Sequence, residues 1–574
     1  GSGKTTTIKK ILIEAKKPFL VIESAKKEYR NIAVAPTVYT LGKPEMNAPK
    51  INPFYIMPGV SPQVHIDYLK DLFNASFSFY GPMPYILEKC LHTIYRNKGW
   101  DLTLGYHPMI AKTDSRTDFF KTEYAKTQYA KQSHKYIFPT MQELKDEISR
   151  YVEEELKYDG EVAGNVKTAM KVRLENLCVG AKGYTFNTNE FIDIKMLLND
   201  KAVFELEGLA DDSDKAFSVG LLVIFINEYR QVEQETNGNQ EASLKHLLVI
   251  EEAHRLLKNV ETERSTETLG NPKGKAVEHF TNMIAEMRSY GQGVIVAEQI
   301  PAKLAPDVIK NSSTKIVQRI VSADDQQIIA NTIGISDNDA MQLGAVETGY
   351  AFCHKEGMVL PTVIKVSDSF VDDEGNKQDL DIFVSDEEIY NCHDERFNDI
   401  NLSVMHSFFA SDIRTKQKIL AFLNTLLIES ESYIISSYEK LINDFADGIK
   451  RNDVGLIFTD SHLISQFLTE LTLEMMVRGV YRVKFLPDNG FMELLEQTLY
   501  VPTDDKIRKL KVMLQKLYSK DLIGYACANV SALIRRTLKK NTDIPATIRK
   551  YFICVSDEIV NDIEKIVKGV KRNE

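Results

Sequence analysis

Two adjacent glutamates, Glu251 and Glu252, close an apolar run in "LKHLLVIEEAHRLL", and Lys4 and Thr5 follow a glycine in "GSGKTTTIKK". A carboxylate at the end of a buried strand can hold Mg²⁺ through a water, and its neighbour can activate a second water for in-line attack on phosphorus. A lysine on a glycine-rich turn reaches the β- and γ-phosphates of a triphosphate, and the threonine hydroxyl after it ligates Mg²⁺. The turn itself, Gly1, Ser2, Gly3, Lys4, Thr5 and Thr6, would offer backbone N–H groups and a helix N-terminus to the anion. The chemistry these types point to is Mg²⁺-assisted hydrolysis of a nucleoside triphosphate such as ATP.

The full loop pattern G-x-x-x-x-G-K-[ST] needs a glycine five positions before Gly3 and a buried strand ahead of it. Three loop residues and that strand are therefore expected upstream of residue 1. A partial match of this kind also arises by accident at a terminus. The glutamate pair, at the end of a later apolar strand, turns the balance toward chemistry.

A third element is "MRSYGQGVIVAEQIPAKL", where an apolar run ends at Gln299. A side-chain amide there can bond both the γ-phosphate and the attacking water. Glu298 beside it reads as structural, and His254 as a capping or core histidine. Arg288 and Arg319 flank the same region, and either could neutralise the transferring phosphoryl group, in cis or from a neighbouring subunit. A surface ion pair is an equally good use of each arginine.

These residues need a scaffold. "PFLVIE", "AVFEL", "HLLVIE", "GVIVAE" and "TKIVQRI" are short, β-branched and continuously apolar, as strands buried on both faces of a parallel sheet are. "TTTIKKILIEAKK" carries Ile8, Ile11, Leu12 and Ala15 on one helical face, and "DKAFSVGLLVIFINEYRQVEQE" is a further helix. Alternation of strand and helix predicts an α/β fold with right-handed crossovers. Residues 1–51 start this core, 52–199 read as a mostly helical insertion, and 200–366 complete the core. Within the insertion, residues 111–136 are polar and read as a loop or weak helix. Lys258–Lys275 has no apolar period and reads as a mobile loop. Residues 367–400 form an acidic, turn-rich linker, and 401–574 a C-terminal helical region with "SYEKLINDFADGIK", "SQFLTELTLEMMV", "DKIRKLKVMLQKLY" and "SALIRRTLKK".

Composition narrows the class. The 574 residues are 43% hydrophobic and 26% charged, as in ordinary soluble chains, and have room for several cores. Six cysteines without a C-x-x-C pair argue against a zinc site or disulfide framework and fit a cytoplasmic setting. No apolar run reaches the roughly 18 residues of a membrane span. A net charge of −10 excludes a generally basic surface, so any nucleic-acid contact must be local. From Lys506 onward 16 Lys/Arg face 7 Asp/Glu, one such local excess. The loop with Arg264, Lys273 and Lys275, and the row Lys167, Lys171 and Arg173, are other candidates, each balanced by a plain solvated surface.

With these residues assembled, the chain resembles HerA-type ATPases of the HerA/FtsK superfamily from Gly1 to about Val366. The resemblance rests on the tail of "GxxGSGKTT", then "VIESAKKEYRN", "INPFYI", "FELEGLADDSDK", "VIEEAHRLL", "RSYGQGVIVAEQIPAKLAPDVIKNSSTKIVQRI" and "GYAFC". It implies a RecA-like P-loop NTPase core, a homohexameric ring, ATP hydrolysis and double-stranded DNA threaded through the ring. It also implies a small β-barrel ahead of the P-loop, absent from this sequence. The family often has Asp where Glu251 stands, and residues 401–574 have no counterpart in its core. Relatives in antiphage defence act with a nuclease or a sirtuin-like NAD-consuming effector, which makes such an effector an expected partner by analogy. Two further classes stay open: a type IV secretion or conjugation ATPase, and an ATP-regulated scaffold for an effector enzyme.

Overall fold

A computed structural model of the chain describes residues 3–107 save 45, 78, 104 and 106, then 135–154, 161–237, 243–260, 272–367 and 371–372. Beyond these it describes scattered positions, of which 431–452, 463–471 and 501–517 are continuous. Gly1, Ser2, Arg264, most of the polar stretch 111–136, nearly all of the acidic linker and the segment "SALIRRTLKK" lie outside the described residues.

The first helix, α1 (Lys4–Ala15), starts behind Gly3, whose φ of 93° is a left-handed value that favours glycine. It buries Thr7, Ile8, Lys9 and Leu12 and ends at Lys16, also left-handed. Strand β1 (Phe19–Glu23) is buried at every residue, and β2 (Thr37–Thr40) follows. Helices α2 (Pro62–Phe77), α3 (Met83–Lys98), α4 (Met141–Glu154), α5 (Glu161–Glu175), α6 (Gly180–Phe186) and α7 (Ile194–Asn199) come before β3 (Lys201–Glu205). Then come α8 (Asp212–Asn237), β4 (His246–Glu251), α9 (Pro272–Glu286), β5 (Gln292–Ala297), α10 (Pro306–Asn311), β6 (Thr314–Val317), α11 (Ala323–Ile333), β7 (Tyr350–Lys355) and β8 (Thr362–Lys365). In the C-terminal region α12 (Glu431–Asn452) and α13 (Asp504–Leu517) are described.

Five strands form a parallel sheet in the order β2-β3-β1-β4-β5. Every chain reversal between them is a crossover, so the strands point the same way and their C-terminal ends share one edge. That edge carries Glu205, Glu23 and Glu251 at the ends of three adjacent strands. α8 covers one face and is buried almost all round along its first half. It approaches α2 so closely at Gly220 that a Cβ there would lie 2.4 Å from Leu72 Cδ1. The segment between β2 and β3 packs on the same core through Phe54, Phe73, Phe138 and Phe186, against Phe217 of α8, all wholly buried. Each such ring contributes about 1.5–3 kcal/mol over an exposed one. Trp100 joins them, its indole N–H donating to the Ile137 carbonyl at 2.9 Å.

Two expectations are corrected. "TKIVQRI" does not join the parallel sheet: β6 pairs antiparallel with β7, and β7 with β8, in a separate three-stranded sheet. Thr314 and Ile316 of β6 are exposed while Val317 is buried, the one-sided burial of an antiparallel ladder. The polar residues that interrupt the run, Lys315 and Gln318, were the signal against a doubly buried strand. The supposed loop at Lys258–Lys275 is also shorter than expected. Pro272 begins α9, with Lys273 and Lys275 in its first turn, because proline at a helix start costs no hydrogen bond.

Candidate active site at the C-terminal edge of the sheet

Lys4, Thr5 and Thr6 form the first turn of α1, and Gly3 turns the chain into it. The Thr7 hydroxyl donates to the Gly3 carbonyl at 3.0 Å and accepts from Gln318 Nε2 at 2.8 Å. Gln318, at the end of β6, is a site residue that sequence reasoning missed. Its Oε1 is buried without a hydrogen-bond partner among the described residues, on the flank of the phosphate turn. Lys4 is half-buried. Burial lowers its ammonium pKa, while Glu298, Glu251 and Glu252 oppose that shift. The lysine therefore feels the charge of three carboxylates at the sheet edge.

Glu251 ends β4 and Glu252 begins the turn after it. Burial raises the Glu251 carboxyl above its ordinary range, against a hydrogen bond from the Tyr29 hydroxyl at 2.8 Å. Glu252 has φ 52° and ψ 47°, a left-handed conformation that is costly for a residue with a side chain. Its N–H donates to the Ala297 carbonyl at 2.9 Å, so β5 holds the strained turn in place. Its carboxylate is gripped at one oxygen, Oε2, by Arg255 Nε at 3.0 Å and Nη2 at 2.6 Å. Arg255 is tied in turn to Asp212 at the start of α8. Oε1 of Glu252 has no hydrogen-bond partner among the described residues, which leaves it for a water.

Glu298 is the clamp between this turn and the Gln299 loop. One carboxylate oxygen meets the His254 N–H at 3.2 Å and His254 Nδ1 at 2.7 Å, and the other accepts from the N–H groups of Gln299 at 2.7 Å and Ile300 at 3.1 Å. Burial works to raise its pKa, but these donors outweigh it and hold the carboxyl below the usual range. Gln299 is exposed just past β5, on the same edge as Glu251.

The two arginines part company. Arg288 lies in the turn ahead of β5, at the opposite end of that strand from Gln299, about 20 Å away by strand length. It is 78% exposed and 3.9 Å from Glu356. The structure does not bring it to Glu251 or Glu252 of its own chain. Arg319 is exposed next to Gln318, at the phosphate-turn end, with no ion-pair partner among the described residues. Among the described residues no cluster of three His, Cys, Asp or Glu side chains suited to a metal occurs. A half-buried ammonium at a helix start, a threonine hydroxyl and a buried carboxylate do fit a triphosphate that brings its own Mg²⁺.

No model of a known protein family matches the chain. Over 257 residues it is 25% identical to the DNA double-strand break repair helicase HerA of Sulfolobus acidocaldarius, covering 41% of this chain and 49% of that relative. A probable DNA double-strand break repair helicase HerA of Methanocaldococcus jannaschii is 29% identical over 121 residues, 21% of this chain and 22% of the other. Over these stretches the chain is similar to HerA helicases. It spans about half the length of the first of these relatives and less of the second. Its core is a parallel α/β sheet. Among solved structures, VirB4 of Thermoanaerobacter pseudethanolicus is similar to this chain at a TM-score of 0.45 and 18% identity, over 64% of this chain and 87% of that one. The plasmid coupling protein TrwB in complex with ADP and Mg²⁺ gives 0.41 and 10%, over 65% and 85%. No helix among the described residues is long and apolar enough to cross a membrane.

Proposed function

We propose that the chain is the ATP-hydrolysing core of a HerA-type ring motor that moves along or unwinds double-stranded DNA. One observation carries this reading: the phosphate turn at the start of α1 and the glutamate pair after β4 stand on separate elements, and the Glu251, Glu252 and Glu298 carboxylates all act on the Lys4 charge. Lys4 and the first turn of α1 would hold the β- and γ-phosphates of ATP, and Thr5 and Glu251 would hold Mg²⁺. The cation supplies charge neutralisation on the phosphate oxygens.

Glu252 then acts as base. Its free oxygen takes a proton from the water that attacks the γ-phosphorus, the new O–P bond forms opposite the β–γ bridging oxygen, and ADP leaves with the electrons of the broken bond. Gln299, held by its backbone N–H to Glu298, would sense the γ-phosphate and pass its loss to the loop that follows. A ring places a second copy against this edge. Arg319 is the arginine that could then reach a phosphate in its own chain or a neighbour's, while Arg288 could serve only a neighbour. The relatives named as DNA repair helicases support double-stranded DNA as the substrate track.

The test is hydrolysis of ATP by full-length protein beside Lys4→Ala and Glu252→Gln, with oligomer size measured by light scattering. Hydrolysis lost in both variants, in a hexamer, supports the reading. Turnover that survives either substitution would sink it.

A further inference from the structure

The residues that follow β1 form a strap along the catalytic edge, and two of its side chains touch groups already placed at the metal. Tyr29 is wholly buried, with the Lys9 ammonium 5.8 Å from its ring centre. Its hydroxyl donates to Glu251 Oε1 at 2.8 Å. Glu28, one residue earlier and half-buried, accepts the Lys26 ammonium at 3.1 Å and sits beside the Thr5 hydroxyl, which helps to lower its carboxyl pKa against burial. The strap cannot slide freely. The N–H groups of Glu28 and Tyr29 are held by the two carboxyl oxygens of Glu23, at 2.6 and 3.4 Å. Arg30 pins its far end to Glu205 through two hydrogen bonds, at 2.8 and 2.7 Å.

These contacts have a geometric consequence. A threonine hydroxyl whose proton points toward a neighbouring carboxylate turns a lone pair elsewhere, which is what a cation needs from it. A Glu251 carboxylate whose Oε1 is occupied by Tyr29 leaves Oε2 for a water or cation. One dipeptide thus orients both halves of a metal-holding pair that stand on different elements, α1 and β4.

We propose that Glu28 and Tyr29 are positioning residues, and that the strap they form sets how Thr5 and Glu251 receive a nucleotide-bound divalent cation. The proposal rests on the reading of this edge as a Mg²⁺–ATP site. Neither residue touches the phosphates. Their work is to align the two groups that meet the cation.

The experiment titrates Mg²⁺ into full-length protein holding a ribose-labelled fluorescent ATP analogue, for the unmodified chain, Tyr29→Phe, Glu28→Ala and Lys4→Ala. Tyr29→Phe keeps the buried ring and removes only the hydroxyl. Losing a hydrogen bond to a charged group should raise the Mg²⁺ concentration for half-maximal binding by about tenfold. Glu28→Ala should move it the same way, and binding without Mg²⁺ should stay unchanged in both. Wild-type Mg²⁺ dependence in both variants overturns the proposal, as does weakening that is equal with and without Mg²⁺. Should Tyr29→Phe melt too low to assay, the half-exposed Glu28→Ala decides by the same criteria. The two levels of failure separate cleanly: an unmodified protein that binds no nucleotide refutes the site itself, whereas nucleotide binding lost in Lys4→Ala with unshifted strap variants refutes only the strap.

Discussion

Glu23 and Glu205 are register partners at the ends of β1 and β3, both fully buried, yet only Glu205 has an arginine. Arg30 gives it two hydrogen bonds and Thr40 a third, at 3.2 Å. Arg30→Ala would leave that carboxylate buried and without its counter-charge. Removing one partner of such a pair costs about 3–5 kcal/mol. A urea titration should show a loss of that order, and a loss below about 1 kcal/mol would show that the pair is not buried as described.

Glu23 has no cation partner among the described residues, and burial pushes its carboxyl up to about 8, against the N–H groups of Glu28 and Tyr29. A carboxyl raised in the folded state holds a proton that the unfolded chain has already released. Its contribution is therefore complete below the unfolded value, near 4.5, and is lost as pH rises from there through about 8. Glu23→Gln should show less of this decline. Measured by denaturant midpoints, the variant should gain on the unmodified chain between those two pH values. A difference independent of pH would mean that Glu23 is not the titrating group.

Arg255 grips one oxygen of Glu252 and is itself tied to Asp212, so it fixes where the other oxygen points. Arg255→Ala should lower kcat for ATP by about tenfold while KM changes little, the mark of an interaction that matters in the transition state. An equal rise in KM with kcat intact would mean that Arg255 serves nucleotide binding instead.

Glu252→Gln keeps the shape of the base and removes its proton affinity. Hydrolysis should fall by about a hundredfold or more while ATP binding persists. A filter-binding assay beside phosphate release separates the two. Because Glu252 sits in a left-handed conformation, Glu252→Gly should relax the turn yet abolish turnover, which sets chemistry apart from strain.

The parallel core was legible because its strands are continuously apolar: "FLVIE" and "HLLVIE" have no other comfortable fate. β2 was not, since "TVYT" is short and polar at alternate positions, and only its pairing with β3 makes it a strand. β6 was misassigned to the parallel sheet because three apolar residues within seven look alike whether one face or two are covered. At the site, the glutamate pair and the lysine-threonine turn announced themselves by residue type and spacing. Tyr29, Arg255 and Gln318 did not. Tyrosine, arginine and glutamine carry no signature in sequence, and their roles come from contacts 222, 3 and 311 residues away. The "EEAHR" string held one usable hint, because an arginine three residues after a glutamate can reach back to it across one turn.

The central claim is that this edge hydrolyses ATP to drive movement on DNA. Its most direct test is phosphate release by full-length protein, alone and with linear double-stranded DNA, beside Lys4→Ala. The account predicts hydrolysis that DNA stimulates several-fold and that Lys4→Ala removes. Hydrolysis indifferent to DNA would contradict the motor and favour a partner-controlled scaffold or a transport ATPase, and hydrolysis that survives Lys4→Ala would contradict the site.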